Sequence, residues 1–283
     1  MATISIFNQY GALNSKSVFE AFAIGAKKLG HTVTYHDFSA DYYVIWSVLW
    51  HGRMRSNLEV WNQAKKIGKK IIVLEVGCID RGRTWRVGLD HVNNLGFFGD
   101  SQDLIPNRSK QLGIKLLAWT MNGKYILICG QHTKSEQWKK FPNPEIWLRN
   151  TISEVKQYTD MPIVVRPHPR DWHWAANFSY KDVKINLPKK ISGTYDDFNF
   201  DQDLKNAWAV INPSSNTGIL SIINGVPAFV DSTSLAAPVG NLDLSTVVNP
   251  IRPRRDEWLE KFCHTEWTTE EIAQGLPILR LKI

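Results

Sequence analysis

Ala207-Trp208-Ala209-Val210-Ile211, followed by Asn212-Pro213-Ser214-Ser215-Asn216-Thr217-Gly218, decides how this chain folds. The first five residues are an apolar run of strand length. The next seven are a polar loop rich in hydroxyls. A helix-like run follows at 219–224, then Gly225-Val226-Pro227 and a second apolar run, Ala228-Phe229-Val230. A strand, a polar loop and a helix in that order bring backbone N–H groups to a helix N-terminus, where an anionic phosphate is stabilised. A second segment of this kind lies upstream, Val164-Val165-Arg166-Pro167-His168-Pro169-Arg170. Together the two read as one diphosphate site.

Working outward, the same alternation fills the chain. Residues 4–7 read as a strand. Ser15 or Ser17 caps a helix to about residue 29, which Gly30 stops. Strands are expected at 31–35, 42–50 and 70–76, with a helix at 58–67. The runs at 42–50 and 70–76 are continuously apolar, as in parallel strands buried on both faces. Residues 77–120 are punctuated by glycines and read as a ligand loop plus a connector with a short helix. A second series follows: strands at 125–129, 162–165, 183–187, 208–211 and 228–230, and helices at 143–158, 200–206, 219–223 and 268–273. The last has Thr268 or Thr269 as cap and Glu271 in its first turn. The expected class is α/β, with two Rossmann-like domains at 1–120 and 121–283. The sequence leaves open whether the last helix crosses back to the first domain.

Residue chemistry narrows the function. Arg166 offers a bidentate fork to phosphate, and His168 and Arg170 add donors held by two prolines. The competing reading is a rigid surface turn. Ser214, Ser215, Asn216 and Thr217 supply more hydroxyls and N–H groups than a helix cap requires. Gly130 and Gln131, at the end of the strand that opens the second half, belong to the same edge. Glu75 ends a buried strand, where burial raises a carboxyl towards the range of a general base. Asp90 competes for that role, and the alternative for Glu75 is a salt bridge to Arg81, Arg83 or Arg86. Those three arginines are the candidate acceptor contacts. Trp85, Trp172 and Trp174 are candidate stacking platforms or loop anchors.

Other classes are excluded by what is missing. There is no Walker loop, no G-x-G-x-x-G after the first strand, no H-E-x-x-H, no C-x-x-C and no G-x-S-x-G. A metal site and a bound cofactor are therefore not expected. No apolar run approaches about 18 residues, the length of a membrane helix. Residues 1–7 lack a basic, signal-like start. Cys78, Cys129 and Cys263 read as buried thiols of a reducing cytoplasm. The net charge is +7. Residues 1–140 hold 19 Lys/Arg and 10 Asp/Glu, against 15 and 17 in 141–283. Cut at residue 120 the halves carry +6 and +1. A basic first half favours an anionic partner, double-stranded DNA foremost, with an anionic glycan or a merely solubilising surface as the alternatives.

Three pieces in order carry a family likeness: Gly130-Gln131, Arg166-Pro167-His168-Pro169, and Ser214-Ser215-Asn216-Thr217-Gly218 leading to Asn224-Gly225-Val226-Pro227. Over residues 120–235 the chain resembles the donor domain of GT-B glycosyltransferases, and the paired motifs are similar to those of capsule-type sugar and polyol-phosphate transferases. The resemblance implies two Rossmann-like domains across a cleft, a nucleotide-sugar co-substrate such as a UDP-sugar, and an acceptor base from the first domain. Many such enzymes hold the donor ribose with a Glu in the helix after the S-N-T-G segment; here that helix reads Ile219-Leu220-Ser221-Ile222-Ile223. In size, charge and architecture the chain also resembles phage glucosyltransferases that modify hydroxymethylated DNA bases. A sugar-nucleotide epimerase of the same architecture and an inactive DNA-binding module are the rivals.

Overall fold

A computed structural model describes residues 1–194 and 197–283. The chain divides into two units, Met1–Ile114 with Leu259–Ile283, and Lys115–Trp258. The first contains β1 (Thr3–Ile6), α1 (Lys16–Lys28), β2 (Thr32–Tyr35), β3 (Tyr42–Trp46), α2 (Asn57–Lys66), β4 (Lys70–Val76), β5 (Thr84–Leu89) and α3 (Arg108–Gln111). The second contains β6 (Tyr125–Cys129), α4 (Pro144–Val155), β7 (Ile163–Arg166), β8 (Val183–Ile185), α5 (Phe200–Leu204), β9 (Ala207–Asn212), α6 (Asn216–Ile223) and β10 (Ala228–Val230). Helix α7 (Asp256–Cys263) spans the division. The chain ends with β11 (Glu266–Thr268), α8 (Thr269–Ala273) and α9 (Leu276–Arg280) in the first unit.

The first sheet runs β2-β1-β3-β4-β5-β11. Its first four strands are parallel. Side-chain alternation sorts its residues to two faces. Ile4, Ile6, Val44, Trp46, Ile72 and Leu74 pack with α1 residues such as Phe19 and Phe22. Phe7, Tyr43, Ile45, Ile71 and Val73 pack with Val60, Trp61 and Ala64 of α2. Both faces are covered, which is why these strands read as unbroken apolar runs. The apolar run at 42–50 stops being a strand at Trp46, because Ser47 turns into the left-handed region at φ 64°.

One part of the expected layout is corrected, and the question left open at the C-terminal end is answered. Residues 84–89 are not ligand loop but strand β5, antiparallel to β4, and β11 is antiparallel to β5. Trp85 therefore lies in the core, 4% exposed, with its indole N–H on the Thr269 hydroxyl, and is no stacking platform. The second unit also ends earlier than residue 283, because Leu259–Ile283 folds into the first. The Thr268 hydroxyl accepts from Glu271 N, and the Glu271 carboxylate accepts from Thr268 N, which starts α8 with a full capping box. Helix α8 lies so close to α1 that a Cβ on Gly25 would sit 2.2 Å from the Ile272 carbonyl oxygen.

The second sheet is wholly parallel, in the order β8-β7-β6-β9-β10. From β6 the chain winds outward through β7 and β8. It then returns to the other side of β6 as β9 and β10. The order thus reverses between β6 and β9, and in an open α/β sheet ligands bind at the carboxyl ends of the strands flanking such a reversal.

The contact at Gly25 gives a direct check on the C-terminal return. Gly25→Ala should lower stability by about 1–3 kcal/mol, because backbone rather than a flexible side chain must yield, and thermal unfolding reads this.

Candidate functional site

At the reversal in the second unit the loops after β6 and β9 are tied together. The Gln131 side chain, 4% exposed, accepts at Oε1 from Ser214 N (3.1 Å) and Ser214 Oγ (3.3 Å), and its Nε2 donates to Gln137 Oε1 (3.0 Å). Asn212, at the end of β9, donates from Nδ2 to the Cys129 carbonyl (3.3 Å) and to Ser215 Oγ (2.8 Å), and its Oδ1 accepts from Ser215 N (2.8 Å). The loop is thus rigid before any ligand arrives. Helix α6 opens here. Ser215 sits at its N-cap with extended backbone but makes no side-chain cap bond; its hydroxyl lies 2.9 Å from Thr217 Oγ1 instead. Of the amides here, Ser214 N is held by Gln131 Oε1, Ser215 N by Asn212 Oδ1 and Gly218 N by the Ser215 carbonyl at 3.2 Å; the helix dipole makes this N-terminus electropositive. Gly218 permits the geometry: a Cβ there would lie 2.9 Å from Val230 Cγ1. Gly130 is similarly close, with a Cβ position 3.3 Å from His168 N and Pro167 Cα.

The loop after β7 adds His168 and Asp171, which meet His132 from the loop after β6. Arg170 N donates to His168 Nδ1 (3.1 Å), so a neutral His168 carries its proton on Nε2. His132 stands edge-on to His168, ring centroids 5.1 Å apart, with its Nδ1 3.4 Å from Asp171 Oδ2. The same Asp171 oxygen accepts from Thr133 N (2.7 Å) and Thr133 Oγ1 (2.6 Å). Burial alone would raise the Asp171 pKa, but the Thr133 hydroxyl and N–H, with the two histidines, outweigh it and hold Asp171 below the ordinary carboxylate range. Asn212 opens the polar stretch quoted at the start, whereas nothing local in the sequence marks Asp171 as part of this edge.

Arg166 is placed differently from expectation. It is 4% exposed at the end of β7, and its guanidinium donates to Asp203 Oδ2 at 2.5 Å, with Asn186 Nδ2 on the other oxygen of the same carboxylate. A buried cation so engaged fastens α5 to β7 and is not a free phosphate fork. Arg170 is exposed. The sequence motif thus splits, with His168 at the edge and Arg166 beneath it.

In the first unit, Glu75 lies near the end of β4. In sheet register it is opposite Arg86 of β5, which is opposite Glu266 of β11. Arg86 turns to Glu266: Nη2 to Oε1 is 2.7 Å, and both side chains are buried. The Glu266 carboxylate also accepts from Cys78 N, Ile79 N and Thr84 Oγ1 at 2.9–3.0 Å. Arg86 is therefore removed from the acceptor-contact set, because it is locked inside. Arg81 and Arg83 are exposed, Arg83 paired with Asp80 at 3.1 Å. Glu75 instead receives Ser47 Oγ on Oε2 (2.5 Å) and its neighbour's Val76 N on Oε1 (2.8 Å). Burial pushes the Glu75 carboxyl above its ordinary range, opposed only in part by these bonds and by Arg86 and Arg81. That is the direction a general base requires.

Asp90 is excluded from this edge. Strand β5 runs antiparallel to β4, so its end lies at the opposite rim, where Asp90 accepts from Ile71 N (3.1 Å) and Lys70 Nζ (2.7 Å). Asp90 clips the start of β4. At the carboxyl end of β1 a hollow of about 410 Å³ opens, lined by residues including Asn8, Gln9, Ser15, Lys16, Tyr35 and Arg53. Among the described residues no group of three His, Cys, Asp or Glu is placed to hold a metal ion, and no helix is long and apolar enough to cross a membrane.

No family profile matches the sequence, and no curated protein matches it. Solved structures do. One, from Thermosulfurimonas dismutans, is described as KpsC, beta Kdo 2,4 transferase; it aligns at TM-score 0.52 and 13% identity over 93% of this chain and 89% of that one. Another from the same organism, KpsC, beta Kdo 2,7 transferase, aligns at TM-score 0.50 and 15% identity over 98% and 99%. The fold is GT-B. At this identity the likeness speaks to the two Rossmann-like domains, and the chemistry rests on the residues above.

Two substitutions check the GT-B edges. Arg166→Ala should cost about 3–5 kcal/mol in denaturant unfolding, the cost of stranding a buried partner charge; a direct phosphate ligand would be lost without that penalty. For Glu75 the sign runs the other way. Its folded pKa is raised, so stability is lost as pH climbs from the unfolded carboxyl range through the folded value. Glu75→Gln should therefore melt higher than the parent at pH 8, and the gain should vanish by about pH 4.

Proposed function

We propose that the protein is a glycosyltransferase that moves a sugar from a nucleotide sugar, with a UDP-sugar as the first candidate, to a hydroxyl acceptor. The observation that carries this reading is the strand-order reversal of the second sheet, where Gln131 and Ser214 join two loops beside the open N-terminus of α6. A nucleoside diphosphate is the ligand such an edge stabilises. The diphosphate leaves as its bond to the anomeric carbon breaks, and its growing charge is met by the positive end of the α6 dipole, the Ser215 and Thr217 hydroxyls and the Nε2 proton of His168. On the first unit, Glu75 takes the proton of the attacking hydroxyl. The role first given to Arg166 passes to the helix N-terminus.

The acceptor is proposed to be a glycan hydroxyl seated at the carboxyl edge of the first sheet, where the hollow by β1 offers polar, cationic and aromatic side chains together. The likeness to structures described as Kdo transferases supports a glycan. The charge argument for DNA loses its footing when the chain is divided as it folds. The first unit then holds 17 Lys/Arg and 13 Asp/Glu, and the second 17 and 14, so the excess is +4 and +3. The basic character is shared and points to neither unit.

Titration calorimetry with a panel of UDP-, GDP- and dTDP-sugars tests the donor. One of them should bind, and His168→Ala and Thr217→Ala should each weaken it about tenfold, the scale of one hydrogen bond to a charged group. No binding across the panel would sink the transferase reading. Interconversion of the sugar without any acceptor would instead mark an epimerase. Strongly salt-dependent binding to duplex DNA would restore the DNA acceptor.

A further inference from the structure

Ser47 follows the last residue of β3 and is, among the described residues, one of six non-glycine residues with positive φ, at 64°. That conformation is costly for a serine and natural for glycine. Strain of this kind persists where the surroundings hold it, and here the hydroxyl's bonds show what it is held for. Leu49 N donates to Ser47 Oγ at 3.1 Å, and Ser47 Oγ lies 2.5 Å from Glu75 Oε2. Ser47 N is itself fixed to the Leu74 carbonyl at 2.7 Å. With the Leu49 amide on one of its lone pairs, the hydroxyl has one proton to give, and it is aimed at the carboxylate.

The geometry points to Ser47 as the positioning residue for Glu75: its hydroxyl selects the rotamer of the carboxylate and leaves one lone pair on each oxygen for an incoming acceptor hydroxyl. This rests on the reading of Glu75 as the base of a glycosyl transfer. Glu75 Oε1 is engaged by Val76 N, a contact within its own strand. Ser47, just past the end of β3, fixes Oε2 from outside that strand. The other charged groups that bear on Glu75 are Arg86 of β5 and Arg81 of the loop after β4. Arg86 is already turned to Glu266 of β11. The Ser47 bond is therefore the adjustable one. It favours the ionised carboxylate against burial, so its loss should make Glu75 hold its proton more tightly.

The test compares Ser47→Ala with Ser47→Gly in the full chain. Glycine suits the backbone at this φ, so it keeps the experiment readable if the alanine variant folds poorly. The Glu75 carboxyl is followed by carbon-13 NMR of labelled glutamate and assigned by its disappearance in Glu75→Gln. In both variants Glu75 should bind its proton about tenfold more tightly than in the parent, although the two differ in backbone strain. An unchanged titration in both overturns the proposal, whatever happens to stability. In parallel, UDP release from UDP-glucose is measured against pH. The acid limb of kcat/KM should move upward with the titration while KM for the donor stays put. If the titration moves and no nucleotide sugar turns over at any pH, Ser47 still governs Glu75 and the transferase reading is what fails.

Discussion

One row of charges across the first sheet sets the conditions for everything proposed at its edge. Glu75, Arg86 and Glu266 are register partners on three adjacent strands. The central arginine has two carboxylates to choose from, and it takes the one on β11. Glu266 is wholly buried, and burial would push its carboxyl up; the Arg86 charge and the N–H groups of Ile79 and Cys78 more than reverse that and hold it ionised. A buried pair of this kind tolerates no loss of a partner. Because Arg86 is satisfied there, Glu75 keeps a raised pKa and a hydroxyl partner in place of a full ion pair. The C-terminal return of the chain is thus part of the chemistry of the first unit, since it brings the carboxylate that draws Arg86 away.

The second unit solves a different problem by the same economy of means. On the proposed reading, its edge presents positive potential to a diphosphate without leaving a cation buried and unpaired. Arg166 is paired beneath the surface with Asp203, and the potential at the edge comes from backbone dipoles at the start of α6. Asn212 and Gln131 spend their amide groups on holding the loop that presents those dipoles. Rigidity arranged in advance is what lets fixed dipoles stabilise charge as it develops.

Much of this was legible in the sequence where the signal was local. Strands β4, β6 and β10 are legible at their observed bounds, because each is built on a continuous apolar run, such as Ile71–Leu74 in β4. The polar stretch at 212–218 reads as a strand-to-helix turn, and it joins β9 to α6. What could not be read was long-range pairing. Strand β5 carries Arg86 and Gly88 and looked like loop, since the partner that makes its arginine buriable lies 180 residues away. Asp90 looked like a catalytic neighbour of Glu75 because nothing in the sequence says that β5 runs backwards. Arg166 looked free because its partner, Asp203, comes 37 residues later on another element. Ser47 looked like one residue of a long strand, and only its backbone angle sets it apart.

The central claim of the proposal is that the loops at the second sheet's reversal hold a diphosphate at the positive N-terminal end of α6. Residue-resolved amide NMR of the protein titrated with UDP examines that claim most directly. The account predicts saturable shifts of the amides at 214–218 and 130–131, with those of β4 and β5 unmoved. UDP that binds while leaving 214–218 unshifted, or that does not bind at all, would contradict it.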